Sequence, residues 1–558
     1  MKFRVLILAF LAPCCVMAQD NDIKRNVTVE RDYNPTTVNA TKISPIPTKE
    51  DLSVESPVVT YSTWSAAEDV SCSNEEAKAD KYTEKRTADA KNGVAKVGLG
   101  FYWQALGEFY YPLLHSNKYL LDINLKHLSN WAHNDLADGT SPRAANHNTR
   151  LNMNFESQFT SSRLYSGVDV SYNGFDYYGL SKVPKPENIM KDTTGVYTTV
   201  GFNIGLKSTN PYSTFSYDFG GGYHYFGRNF GIAQHNIFAE AEIGGEVGEG
   251  ELGAEIEIDV DINKREIPAE KPGERPEIEK EAGALITLAP FYKMRGNDWS
   301  FKIGGKMFIH CERGTRRPIT GCADLEGSFG LVPELLYLNA GIGGYFSENM
   351  YYDVFKENKY IANDVELEPT YCPLDVNLGL KVNIMKGLLF EAGGRYTLIL
   401  DQYYFVNSTI NNKYINTFDV VYDGLTNKVS AELGLYFIYV KDLKMSVKGK
   451  YNFWGLKDLE YAWQRPSWEV NFDANYTIKK KWRIGLSYNF LGGRYALIDG
   501  QAVKMKNVHD LNIYFSYQVL DFLEIFANGK NLANVKADTY YGYTSMGING
   551  MIGATFRF

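Results

Sequence analysis

ELGAEIEIDVDI, residues 251–262, alternates without a break. Leu252, Ala254, Ile256, Ile258, Val260 and Ile262 hold one set of positions. Glu251, Gly253, Glu255, Glu257, Asp259 and Asp261 hold the other. Successive side chains of an extended strand point to opposite faces. The period of two therefore predicts a strand with an apolar face and a row of carboxylates behind it.

The same texture runs from about residue 93 onward. In 470–478, Val470, Phe472, Ala474, Tyr476 and Ile478 alternate with Asn471, Asp473, Asn475 and Thr477. Stretches 374–384, 482–490 and 511–519 repeat the pattern. The strand expected before the opening one sets Ile237, Ala239, Ala241 and Ile243 against Glu240 and Glu242. The one at 299–309 sets Phe301, Ile303, Met307 and Ile309 against Lys302 and Lys306.

Connections alternate in length. Those at 385–387, 441–444, 479–481 and 520–521 are tight; polar loops near 263–282, 349–371, 401–427, 457–466 and 533–546 are long. Short turns at one end and long loops at the other mark an outer-membrane barrel. A soluble β-sandwich also alternates, but it lacks this asymmetry and so many successive hairpins. The expected fold is all-β: a transmembrane antiparallel β-barrel of roughly 16 to 22 strands, even in number, preceded by a short extended periplasmic segment. On this reading lipid touches Leu252, Ile256, Ile258, Val260 and Ile262. Lumen water touches Glu255, Glu257, Asp259 and Asp261, with Lys302 and Lys306 as partial counter-charges.

Composition agrees. The 558 residues carry a net charge of -8, which argues against a nucleic-acid partner. No stretch has the roughly 20 consecutive apolar residues of a membrane helix. Tyr (40) and Gly (50) are abundant, as many twisted strands with aromatic ends require. Residues 1–18 read as a signal peptide: Lys2 and Arg4, an apolar run Val5 to Ala12, then Val16-Met17-Ala18. Cys14 after Leu11-Ala12-Pro13 is a weaker lipoprotein alternative. Residues 19–92, rich in Thr and Pro, read as an extended periplasmic segment without a core, and 93–558 as the barrel in the cell outer membrane.

The final residues, MIGATFRF, put Ile552, Ala554, Phe556 and Phe558 on one face. This resembles the signal by which barrel-insertion machinery reads outer-membrane proteins, with Phe556 and Phe558 as its aromatic residues. NLANVKADTYYGYTSMGINGMIGATFRF (531–558) resembles the closing strands of TonB-dependent receptors. NVTVERDYNPTTVNATKISPIP (26–47) resembles the amino-terminal stretch of a group of Bacteroidota outer-membrane proteins of that type. The resemblance implies solute uptake across the outer membrane, or a subunit role in an outer-membrane complex with a lipoprotein or TonB partner. NVTVE (26–30) stands where a TonB box would sit. The departure is the plug: 19–92 is too short and too polar to form the globular stopper such receptors carry. A structural or assembly barrel that passes no solute is a further alternative.

Other constellations are few. Cys311 and Cys322 bracket ERGTRRPITG and are candidates for a loop-closing disulfide in an oxidising compartment. No C-x-x-C or paired-His spacing suggests a metal, and no cofactor is expected. In LDINLKHLSNWAHND (121–135), His127 and Ser129 continue the lipid face of Leu121, Ile123 and Leu125. His-x-Ser-Asn resembles the dyad of outer-membrane lipid hydrolases, with Asn146, Asn148 or Asn152 to orient the imidazole. Trp131 stands where those enzymes have glycine. The competing reading is an interfacial strand end, and the chain is expected not to be an enzyme.

Overall fold

The fold was obtained as a computed structural model. It describes residues 93–558 other than 180–193, 211–212, 230, 268–276, 313–315, 363, 409–416 and 441. The segments 1–18 and 19–92, with NVTVE, lie outside the described residues.

Twenty-two strands form one sheet in which each pairs antiparallel with its neighbours. The ring closes where Val94–Gly100 pairs with Gln104–His115 on one side and Asn549–Arg557 on the other. Register at the seam runs from Val94 opposite Arg557 to Gly100 opposite Met551. Backbone bonds from Gly93 N to Phe558 O (2.8 Å) and from Phe558 N to Gly93 O (3.0 Å) extend it. Strand backbones approach closely here: a Cβ on Gly553 would stand 2.1 Å from the Val97 carbonyl oxygen. Closure satisfies every strand edge, which an open sheet cannot do.

Faces follow the alternation. Leu99, Leu252, Leu378, Leu433, Phe453 and Ile552 are exposed on the outer wall. Asp122, Asn173, Asp261, Asp324, Asn452 and Glu524 are buried in the interior. At one end the turns are short, as at 248–249, 386–387 and 521–522. At the other end the connections are long: 348–369, 401–425, 457–467, 493–507 and 531–548. The wall rises higher at 263–282 than the sequence suggests. Gly250–Ile267 and Glu277–Arg295 continue pairing there, because Lys264 stands opposite Lys280 and Arg265 opposite Glu279 in an unbroken ladder. Polar side chains made that stretch look like loop, whereas backbone pairing beyond an apolar band does not require greasy residues.

The long connections do not simply project outward. They carry a short helix, Tyr351–Glu357, and three small hairpins, including Gln402–Asn407 with Phe418–Asp423. Phe175, Phe226 and Ile232 from the wall pack with Val354, Phe355, Ile361, Phe405, Phe418, Tyr540 and Tyr543 from these connections. The contributing strands and loops are far apart around the ring, so this core bridges the barrel mouth.

Cys311 and Cys322 correct an expectation. Both are free thiols. Cys311 follows the buried His310 on its strand and is exposed on the outer wall. Cys322 stands opposite Lys306, on the interior face. Alternation thus sends the two sulfurs to opposite sides of the sheet, and no loop-closing disulfide forms.

Candidate functional site

Two features share the long-connection end: the acidic wall and the lid above it. Strands Ile232–Val247 and Gly250–Ile267 place Glu240 opposite Glu257 and Glu242 opposite Glu255. Like charges directly opposite each other destabilise a sheet. Some are offset. Lys302 Nζ lies 3.4 Å from Glu255 and 2.7 Å from Asp324, and Lys306 Nζ lies 3.6 Å from Asp324. Lys293 Nζ lies 3.5 Å from Glu242. Glu255, Glu257, Asp259, Asp261, Lys302 and Lys306 all face the interior, while Ile258 and Ile262 are exposed on the outer wall. Glu348 and Asp353, from the connection above, join the same space. Their part was illegible in the sequence because the loop that carries them has no periodicity.

The lid is held by buried polar groups as much as by its aromatic core. Arg465 donates to Glu357 at the end of the short helix. The Tyr403 hydroxyl donates to the same carboxylate at 2.6 Å, and the Tyr540 hydroxyl to the Glu357 carbonyl at 2.8 Å. Burial opposes the Arg465 charge, yet Glu357 and neighbouring tyrosines hold its pKa above the ordinary arginine value. Arg228 donates to the Ile361 carbonyl at 3.0 Å, and Lys359 to Asn146 Oδ1 at 3.2 Å. Burial pushes Lys359 down to about 8, against the pull of Asp176. Arg494 donates to the carbonyls of Asp538 and Thr539, each at 2.7 Å. Asp423, wholly buried, accepts from the backbone N–H groups of Lys457, Asp458 and Leu459. Tyr360 and Tyr543 stack with centroids 3.6 Å apart.

The Asn-Leu-x-Asn stretch turns out to be a brace for the last connection. Asn531 and Asn534 both adopt positive φ, of 49° and 50°. Asn531 Nδ2 donates to the carbonyls of Val535 and Met546, and its Oδ1 accepts from Val535 N. Asparagine tolerates this backbone region better than most residues.

His127 and Ser129 share the outer face, but no dyad forms. His127 Nδ1 pairs with Thr149 Oγ1 at 2.8 Å. Ser129 is 1 % exposed and its hydroxyl has no hydrogen-bond partner. The neighbouring strand places His147 opposite Ser129, with its ring edge-on to Trp131 at 4.8 Å. His127 and Ser129 stand two positions apart on the strand, and the Ser129 hydroxyl, without a partner, makes no hydrogen bond to the imidazole. Among the described residues no set of three His, Cys, Asp or Glu side chains converges on a metal-sized point.

No family model matches the chain, and no curated protein matches it. Solved structures match by fold. The siderophore receptor PirA from Acinetobacter baumannii aligns over 85 % of this chain and 81 % of its own, with a TM-score of 0.65 and 12 % identity. The copper transporter OprC aligns over 84 % and 80 %, with a TM-score of 0.63 and 11 % identity. The ferric-catecholate import receptor Fiu from E. coli K12 aligns over 84 % and 82 %, with a TM-score of 0.58 and 11 % identity. At such identities the shared property is the barrel; these fold relatives are transport receptors rather than enzymes.

Proposed function

We propose that the chain is an outer-membrane barrel of the TonB-dependent-receptor type that takes up a solute through a mouth gated by its own loops. A closed ring with an apolar outer wall belongs in hydrocarbon. The short turns then face the periplasm and the long connections the exterior, with the segment 19–92 on the periplasmic side. The observation that carries the reading is the core bridging the mouth above an acidic wall, built from Tyr351–Glu357, the Gln402–Asn407 hairpin and Tyr540 to Tyr543. An open porin needs no such core, and an assembly barrel needs no acidic wall beneath it.

Planar-bilayer recordings test this. The intact protein is expected to conduct little. Arg465→Ala, which unfastens the lid, is expected to give cation-selective steps, because carboxylates raise the local cation concentration. Those steps should weaken when Glu255, Glu257, Asp259 and Asp261 become Gln or Asn. Absence of conductance from both proteins, despite correct insertion, would overturn the uptake reading in favour of an assembly role. Pulldown from solubilised outer membranes would identify a lipoprotein or TonB partner.

A further inference from the structure

Above the apolar stretch Leu252 to Ile262 the outer wall turns basic. At about 3.3 Å per residue and a tilt of about 40°, that stretch rises about 25 Å, the height of a barrel's apolar band. The next outward position on the strand is Lys264, and Lys280 stands directly opposite it on Glu277–Arg295. Like charges in that relation destabilise a sheet. The inner face of the same two strands does the reverse: one residue along, Arg265 stands opposite Glu279 and pairs with it. Lys264 Nζ lies 3.0 Å from Glu266 on its own strand. Lys280 is exposed and has no ion pair among the described residues.

A histidine shares this face. His235, on Ile232–Val247, stands opposite Ile262, which is exposed on the outer wall. Its Nδ1 lies 2.7 Å from the Tyr223 hydroxyl of the preceding strand, and the Tyr225 ring stands opposite it with centroids 5.2 Å apart. A phenol hydroxyl donating to Nδ1 keeps the imidazole proton on Nε2. The arrangement recurs on the outer wall. His127 Nδ1 meets the Thr149 hydroxyl at 2.8 Å, and His509 Nδ1 meets the Tyr488 hydroxyl at 2.9 Å. Each time a hydroxyl of the adjacent strand fixes an outward-facing imidazole. Beside His235 two lysines join it, and the intervening positions are small: Ala233 opposite Lys264, and Ala282 opposite Ile262. Tyrosines beside such a patch suit the head-group region of a membrane.

We infer that this face binds the phosphate-bearing head group of an outer-leaflet lipid, with the phosphate between Lys264 and Lys280 and the His235 imidazole as a further donor. An anion there offsets the opposed lysine charges. Ala233 and Ala282 leave room for the head group. The acyl chains continue down Ile237, Val260 and Ile262, and this continuity with the apolar band identifies the anion as a lipid rather than free phosphate. The inference rests on the outer-membrane placement of the barrel and not on uptake.

Native mass spectrometry of the purified, detergent-solubilised full chain, titrated with diphosphorylated lipid A, tests it. Retention of one lipid per barrel is expected. The Lys264→Gln, Lys280→Gln double variant should weaken retention by about tenfold, as should removal of the lipid phosphates. Lys504→Gln, which neutralises an exposed lysine on the small strand Gln501–Lys504, should retain lipid as the unaltered chain does. Heat-modifiable migration verifies that each variant forms the barrel. The inference is overturned by retention indifferent to the lipid phosphates or to the double variant, or by equal loss in Lys504→Gln. Displacement of the lipid by an equimolar amount of inorganic phosphate would assign the site to free anions and also overturn it. Retention by a chain that is missing from the outer-membrane fraction of cells would uphold the site and overturn the membrane placement alone.

Discussion

Arg465 and Glu357 meet over the barrel interior, one on the 457–467 connection and the other at the end of the helix Tyr351–Glu357. Both side chains are about four-fifths buried, at 20 % exposure each. The pair therefore ties together two connections that the barrel strands themselves leave independent. Removing one partner from a buried pair costs about 3–5 kcal/mol, because the other charge stays behind. Arg465→Ala is thus expected to loosen the lid while sparing the ring. Limited proteolysis should cut the 348–369 and 531–548 connections faster, and the barrel should remain heat-modifiable. The Arg465→Ala, Glu357→Gln double variant should recover part of the loss.

Lys359 gives the lid a pH dependence of definite sign. Its pKa, about 8 in the folded lid, is below the ordinary 10.5 of an exposed lysine. The opened lid therefore holds more protons between those values, and closure strengthens as pH rises through that window. Below about pH 8 the full penalty of the buried charge applies. Proteolysis of the lid should slow from pH 8 to pH 10.5, and Lys359→Met should flatten that part of the profile.

Ile258 and Glu257 are neighbours on opposite sides of one strand. Ile258 is 38 % exposed on the outer wall, while Glu257 borders the interior cavity. An arginine on the lipid face near the midplane costs about 2–4 kcal/mol. Ile258→Arg should lower assembly into the outer membrane, and Glu257→Arg should assemble normally. Fractionation with heat-modifiability reads both; equal loss would invert the face assignment.

Gly553 and Phe558 act at the seam. Any Cβ at Gly553 meets the Val97 carbonyl, which cannot swing aside as a side chain could. The Phe558 ring stacks with Tyr111 at 6.0 Å, and its backbone makes both terminal bonds to Gly93. Gly553→Val and deletion of Phe558 should each reduce inserted protein far more than synthesised protein. Phe556, exposed on the outer wall, should matter less for a finished barrel than for its recognition during insertion. Refolding into detergent, where no insertion machinery acts, separates the two.

Ser129→Ala is expected to be harmless. The substitution removes a buried hydroxyl that has no partner, which is neutral or slightly stabilising. Thermal unfolding should be unchanged or marginally later, and phospholipid turnover by the purified protein should not depend on Ser129 or His127.

The barrel was legible because its code is local. Leu252 to Ile262 reveals a strand without reference to any partner, and the alternation of short and long connections reveals that successive strands form hairpins with all the long connections at one end. What escaped was non-local. Nothing near Glu348 says that it will stand beside Asp261, since the two are brought together only by the path of the 348–369 connection. Arg228, Lys359 and Arg494 likewise read as ordinary surface cations, but Arg228 and Arg494 end among backbone carbonyls of distant loops, and the loop-borne Lys359 ends over the Phe175 ring of the wall. The ladder beyond Ile262 was missed for a different reason: above the apolar band, alternation of hydrophobicity fades while pairing continues. The cysteines failed on parity, because 311 and 322 differ by an odd number of residues and the sequence does not show where the strands turn.

Apart from the closing seam, the ring is a succession of hairpins. Every other pairing joins strands that follow one another around the wall, whereas the last joins Val94 to Arg557 and Gly100 to Met551. Local pairings form quickly, while a contact spanning nearly the entire chain carries the largest loop-closure entropy. A growing sheet of this kind therefore has two raw edges throughout its assembly, Val94–Gly100 and Asn549–Arg557. The two edges that wait longest for each other are also among the shortest strands, at seven and nine residues. A slow zip finished by a short clasp makes the final step the one most sensitive to a chaperoning surface that shields exposed strand edges until they meet.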